Sequence, residues 1–180
     1  MLRFLLALTL LLPAALTAQA RTVFVVRHAE KVDASRDPEL SETGKARAEA
    51  LALALADAHV DAVITTQFIR TRETGRPTAE ARGLTPIVVA AGADAAAHAT
   101  AVADAVRARP AGESVLVVGH SNTVPAIVAA LGGSRVPDIC DAHYANLFVL
   151  VVPDSGATRT ARVSFGAADR TDPACAAMRE

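Results

Sequence analysis

The chain has 180 residues, a formal net charge of −1 and only 3% aromatic residues. Its acidic and basic residues are scattered, which excludes a broad basic footprint for nucleic acid, a base-stacking surface and a charge field for an anionic membrane. Any anion it binds must be gripped locally.

The first segment, MLRFLLALTLLLPAALTAQA, places Arg3 before an apolar run and ends in Ala18-Gln19-Ala20, the small-x-small pattern of a signal-peptidase site. A membrane-spanning helix is disfavoured because the run is too short for a bilayer and is broken by Pro13. No cysteine follows it, so a lipid anchor is not expected. The expectation is a signal peptide over residues 1–20 and one exported domain over 21–180, in a periplasm or outside the cell. That length suffices for one continuous core.

Within that domain, apolar runs of strand length recur at 22–26, 62–65, 86–90, 114–118 and 147–152, each too uniformly apolar for a sheet with one wet face. Between them, 42–58, 69–81, 93–108 and 123–131 have helical spacing and good helix formers. Ser41 can cap the first helix, and Gly132-Gly133 supplies a stop for the last. The alternation predicts an α/β fold: a three-layer α/β/α sandwich with a mostly parallel sheet. Asp154-Ser155-Gly156 separates the last run from 159–165 as a turn separates the arms of a hairpin, which predicts an antiparallel C-terminal edge.

Cys140 and Cys175 both lie beyond the signal. In an oxidising compartment such a pair is expected to form a disulfide, tying the C-terminal tail to the loop before Tyr144.

In open parallel sheets, ligands bind beyond the carboxyl ends of the strands. Arg27-His28-Ala29-Glu30 follows the first predicted strand, Thr65-Thr66 and Arg70 the second, and Gly119-His120-Ser121-Asn122 the fourth. Arginine forks and helix N-terminal amides bind phosphate oxygens. A neutral imidazole can attack phosphorus while a protonated one steadies the equatorial oxygens. Ser121 as a serine nucleophile is disfavoured, because Thr123 stands where a nucleophile elbow needs glycine.

These segments resemble the histidine phosphatase superfamily, which includes phosphoglycerate mutases. Val25-Val26-Arg27-His28-Ala29-Glu30 looks like its Arg-His-Gly signature, and Thr65-Thr66 with Arg70 and Thr74 like its paired hydroxyls followed by arginine and threonine. Gly119-His120-Ser121-Asn122 resembles its second histidine segment, and Leu40-Ser41-Glu42-Thr43-Gly44 leading into Arg47-Ala48 its first helix entry. The resemblance implies a phosphatase with a phosphohistidine on His28, which together with the N-terminal pattern reads as a short, secreted, bacterial-type member. It further implies a phosphate pocket of Arg27, Arg70 and His120, with Asn122 nearby, and no metal or organic cofactor.

The proton donor for the leaving oxygen stays open between Asp94, Glu30 and none; a missing acid implies slow turnover or good leaving groups. His59, His98 and His143 look incidental, and Lys31 either borders the pocket or is solvated. The expected partner is a small phosphorylated substrate, with no nucleic acid and no membrane association once the signal is removed. The leading function is an exported phosphomonoesterase of histidine acid type. The alternatives are a phosphohistidine-protein phosphatase and a non-enzymatic anion-binding module of the same fold.

Overall fold

A computed structural model describes residues 20–173 and 175. Residues 1–19 of the predicted signal peptide lie outside the described residues. Ala20, the last residue of that predicted segment, opens strand β1 (Ala20–Arg27).

The elements follow the predicted alternation: β1, α1 (Glu42–Ala54), β2 (Ala62–Thr65), α2 (Ile69–Ala81), β3 (Ile87–Val88), α3 (Ala95–Arg107), β4 (Ser114–Gly119), α4 (Val124–Ala130), β5 (Asn146–Pro153) and β6 (Arg159–Ser164). The six strands form one sheet in the order β3-β2-β4-β1-β5-β6. β3, β2, β4 and β1 run parallel, β5 is antiparallel to β1, and the β5–β6 hairpin makes the predicted antiparallel edge.

Side chains alternate across the pleat, so each strand feeds two cores. On one face Val23, Val25, Ile64, Val115 and Val117 pack under Val102, Val106, Ile127 and Leu131 of α3 and α4 with its cap. On the other, Phe24, Val26, Val63, Leu116 and Val118 pack under Leu51, Leu55 and Ala79 of the α1 and α2 layer. This is the expected three-layer sandwich. Among the described residues, no helix is long and apolar enough to cross a membrane.

Boundaries differ from the sequence reading where local chemistry overrides periodicity. The first helix, expected to reach residue 58, ends at Ala54; Ala56–Ala58 is a 3₁₀ turn closed by His59 in the left-handed region at φ 49°. The third helix starts at Ala95 because Asp94 is its cap, its Oδ1 accepting from the amides of Ala96 and Ala97. The strand expected over 86–90 contracts to two residues. Ser41 caps α1 as expected, accepting from the Gly44 amide. Gly132, at φ 82°, ends the α4 segment.

The turn after β1 packs directly on α1. The Ser41 amide donates to the Glu30 carbonyl at 2.9 Å. A Cβ on Gly44 would lie 2.2 Å from that same oxygen, so only glycine permits the approach.

Candidate active site

β1 and β4 pair in a register that sets Arg27 opposite Gly119. The His28 amide extends the ladder by donating to the Gly119 carbonyl at 2.9 Å. His28 and His120 are therefore the first residues past two adjacent strand ends, and both are buried. Their rings meet 5.4 Å apart, centroid to centroid.

Each ring has a tautomer fixed by its partners. Nδ1 of His28 lies 2.8 Å from the Ala29 carbonyl, which can only accept, so Nδ1 carries the proton and Nε2 keeps a lone pair. Nε2 of His120 lies 3.2 Å from Oγ1 of Thr66, which lies 2.9 Å from Oγ1 of Thr71. The Thr71 hydroxyl donates to the Phe68 carbonyl at 2.9 Å. Thr66 therefore donates to Thr71 and accepts from His120 Nε2–H, leaving His120 Nδ1 buried and without a partner.

The arginines flank this pair. Arg70, in the first turn of α2, is stacked over Phe68 at 4.2 Å and lies 3.6 Å from Asp37 Oδ1, which also accepts from the Ile69 amide. Thr74 ties the same turn to the histidine: its hydroxyl donates to the Arg70 carbonyl and accepts from the Ala29 amide. Arg27 is held by the loop before β5. Its Nη1 faces the carbonyls of Cys140, Asp141 and His143, its Nη2 pairs with Asp141 Oδ1, and its guanidinium stacks over Tyr144 at 4.1 Å.

Buried polar atoms are nearly always satisfied, so each that is not calls for a water, an ion or a ligand. Among the described residues, the buried side-chain atoms without a hydrogen-bond partner are Arg27 Nε, Arg70 Nη1 (ion-paired with Asp37 at 3.6 Å), His120 Nδ1, His98 Nε2 and the hydroxyls of Thr65 and Thr78; the first three belong to this site. All three residues act electrostatically on His28. Burial, together with Arg27, His120 and Arg70, lowers the His28 pKa to about 3, although the Ala29 hydrogen bond opposes the shift. Burial, then Arg70, His98, Arg27 and Lys31, lowers that of His120 to about 4. Burial also lowers Arg70, against the pull of Asp37. The site sets guanidinium N–H donors and a second neutral imidazole around His28.

The two carboxylates considered as proton donors are engaged elsewhere. Both oxygens of Glu30 accept from Arg47 Nε at 2.9 Å, and Arg47 is itself buried and anchored to the carbonyls of Phe165 and Ala167. Asp94 is exposed and occupied as the α3 cap. Asn122 is exposed on the turn between β4 and α4. His98 is buried in the first turn of α3, with Nδ1 on the Ala90 carbonyl and Nε2 without a hydrogen-bond partner. Burial of the α3 face next to Ala99 and Val102 is the physical reason.

Sequence reasoning did not single out Tyr144, Phe68 or Asp37, which steer the arginines. Only the folded loops bring them there; an aromatic two residues before Arg70 was the one available signal. Beside the site, a cleft of about 590 Å³ is bordered by Glu30, Lys31, Asp141, Tyr144 and Arg170. Among the described residues, no group of three or more His, Cys, Asp or Glu side chains could hold a metal ion.

A mostly parallel sheet that presents two histidines and two arginines past its strand ends has the means to grip an anion beside a neutral imidazole. The family model described as histidine phosphatase superfamily (branch 1) matches residues 23–92. A mycobacterial hydrolase is similar in structure, with a TM-score of 0.64 at 18% identity, covering 87% of this chain and 95% of that one. A mycobacterial glucosyl-3-phosphoglycerate phosphatase gives 0.60 at 19% identity, covering 82% and 99%. The protein histidine phosphatase SixA, solved with tungstate, gives 0.59 at 21% identity, covering 79% and 96%. No curated protein matches the chain by sequence.

Proposed function

We propose that this chain is a phosphomonoester hydrolase of histidine acid type that works through a phosphohistidine on His28 and acts outside the cytoplasm on small phosphorylated substrates. One observation carries the reading: Arg27 Nε–H, Arg70 Nη1–H and His120 Nδ1, which becomes a donor once protonated, all lack a hydrogen-bond partner and act on an imidazole whose Nδ1 proton is already committed to Ala29.

In the first step, His28 Nε2 attacks phosphorus and the bond to the leaving oxygen breaks, with the leaving group taking a proton from solvent water. Arg27, Arg70 and His120, protonated beside the bound anion, hold the equatorial oxygens as charge spreads onto them. Water then attacks the phosphohistidine, releasing inorganic phosphate and restoring His28. No step in this scheme requires a metal. Export rests on the N-terminal pattern of the sequence, and the bond between Cys140 and Cys175 suits an oxidising compartment.

A second reading is favoured by the engagement of Glu30 with Arg47 and of Asp94 with α3. Without a dedicated acid, substrates whose leaving group needs little protonation, phosphohistidine among them, turn over fastest.

The test incubates purified protein with p-nitrophenyl phosphate, sugar and nucleotide phosphates, glucosyl-3-phosphoglycerate and phosphohistidine, with and without chelator. Release that persists in chelator and vanishes in His28→Ala supports the proposal, as does an acid-labile, base-stable phosphoryl group mapped to His28. Anion binding without turnover on any substrate would establish a binding module instead.

A further inference from the structure

Arg27 reaches its ligand through one N–H. Nη1 is spent on the carbonyls of Cys140, Asp141 and His143 at 3.0, 3.0 and 3.2 Å. Nη2 is spent on Asp141 Oδ1 at 3.1 Å and the Tyr144 hydroxyl at 3.5 Å. Nε alone is buried and unpaired. Where Nε points is therefore set by where the far end of the guanidinium is held, and it is held by a strap outside any strand or helix.

Two tethers fix that strap, both from the segment after β6. Cys140 is disulfide-bonded to Cys175, with Cα atoms 5.5 Å apart. Oδ1 of Asp169 accepts from the amides of Tyr144 and Ala145 at 2.7 and 2.8 Å. Both cysteines are buried. The strap supplies Asp141 and Tyr144 and the tether segment Asp169 to one cleft, and Tyr144 lies against Arg27 and 6.4 Å from the His28 ring, centroid to centroid.

We infer that the Cys140–Cys175 disulfide, with Asp169, is a positioning element for phosphate binding: it fixes the strap carbonyls that aim Arg27 Nε at the anion. Reduction by a dithiol passes two electrons and two protons to the cysteine sulfurs, leaving two thiols and an oxidised reductant. The strap is then tied only through Asp169 and hydrogen bonds, and Arg27 samples other directions. Anion affinity thereby becomes sensitive to the redox state of a bond that touches neither substrate nor nucleophile.

This inference rests on the phosphatase reading, and its test separates the two. Tungstate binding is measured by calorimetry, and KM and kcat with p-nitrophenyl phosphate, for oxidised protein, dithiol-reduced protein, the Cys140→Ser/Cys175→Ser variant and Asp169→Ala. Each is assayed at a temperature where circular dichroism shows it folded. The expected result is tungstate affinity weaker on the order of tenfold and KM raised in step, with kcat moving less. A merely structural role would lower the melting temperature and leave KM alone. Wild-type tungstate affinity in the reduced protein, or in the double cysteine variant, overturns the proposal. If the double variant does not fold, the reduced protein and Asp169→Ala decide it in the same way. Tungstate binding without turnover in the oxidised wild type would sink the phosphatase reading while still measuring the tether.

Discussion

The imidazoles of His28 and His120 meet edge to face at an interplanar angle of 64°, and both are uncharged in the empty pocket at neutral pH. A bound dianion reverses this for His120, because a negative charge beside Nδ1 raises its pKa from about 4. Anion binding near pH 6 is therefore expected to take up about one proton. Tungstate titrations in two buffers of different ionisation enthalpy measure it, and His120→Asn should abolish it.

The same shifts set the acid stability. Both histidines are lowered from 6.5, so between that value and about 3 to 4 the unfolded chain binds more protons than the folded one. Stability is complete above 6.5 and declines as the pH falls through that window, by an amount on the order of several kcal/mol. Urea unfolding from pH 7 down to pH 4 is expected to show this slope, and His28→Gln to flatten it.

Thr66 is the hinge of the relay that runs from Thr71 to His120 Nε2. Thr66→Val keeps the shape but strands a buried N–H, a loss of about 1–3 kcal/mol in orienting the ring. Expected is a drop in kcat/KM on the order of tenfold to a hundredfold with the fold intact. Unchanged kcat/KM would show that the relay does not orient His120.

Asp94 can be tested as acid and as cap independently, since asparagine caps helices about as well as aspartate. Asp94→Asn is expected to keep kcat and stability. Asp94→Ala should lose about 1 kcal/mol of stability with kcat unchanged. A large fall of kcat in Asp94→Asn alone would reinstate it as the proton donor.

Glu30 pairs with a buried Arg47, so removing it leaves a desolvated cation. Glu30→Ala is expected to destabilise the fold by about 3 kcal/mol or more, measured by urea denaturation. Loss of turnover in Glu30→Gln without loss of stability would point to proton transfer instead.

The fold was legible because the parallel core demands uniformly apolar strands, and Val23 to Val26 or Val115 to Val118 admit no other reading. The site was legible to the extent that its groups follow strand ends directly: His28, His120 and Arg70 each lie within five residues of one. What escaped depends on contacts distant in sequence. Nothing near Arg27 announces that Cys140, Asp141 and His143 will occupy its Nη1, and nothing near Glu30 announces Arg47. The burial of His98 was hidden for a different reason: an alanine-rich helix does not show which of its faces is inward until the sheet is in place.

The alignment of Arg27 with Gly119 acts as a ruler for the whole centre. Two hydrophobic strands zipping side by side bring both histidines to one level without any closing lid, so chemistry is assembled at the moment the core condenses. A single-residue insertion within β4 would lift His120 by one step of the strand and swing the segment beyond it to the opposite face of the pleat. Such a protein could still bury its valines, but its two rings would no longer share a ligand.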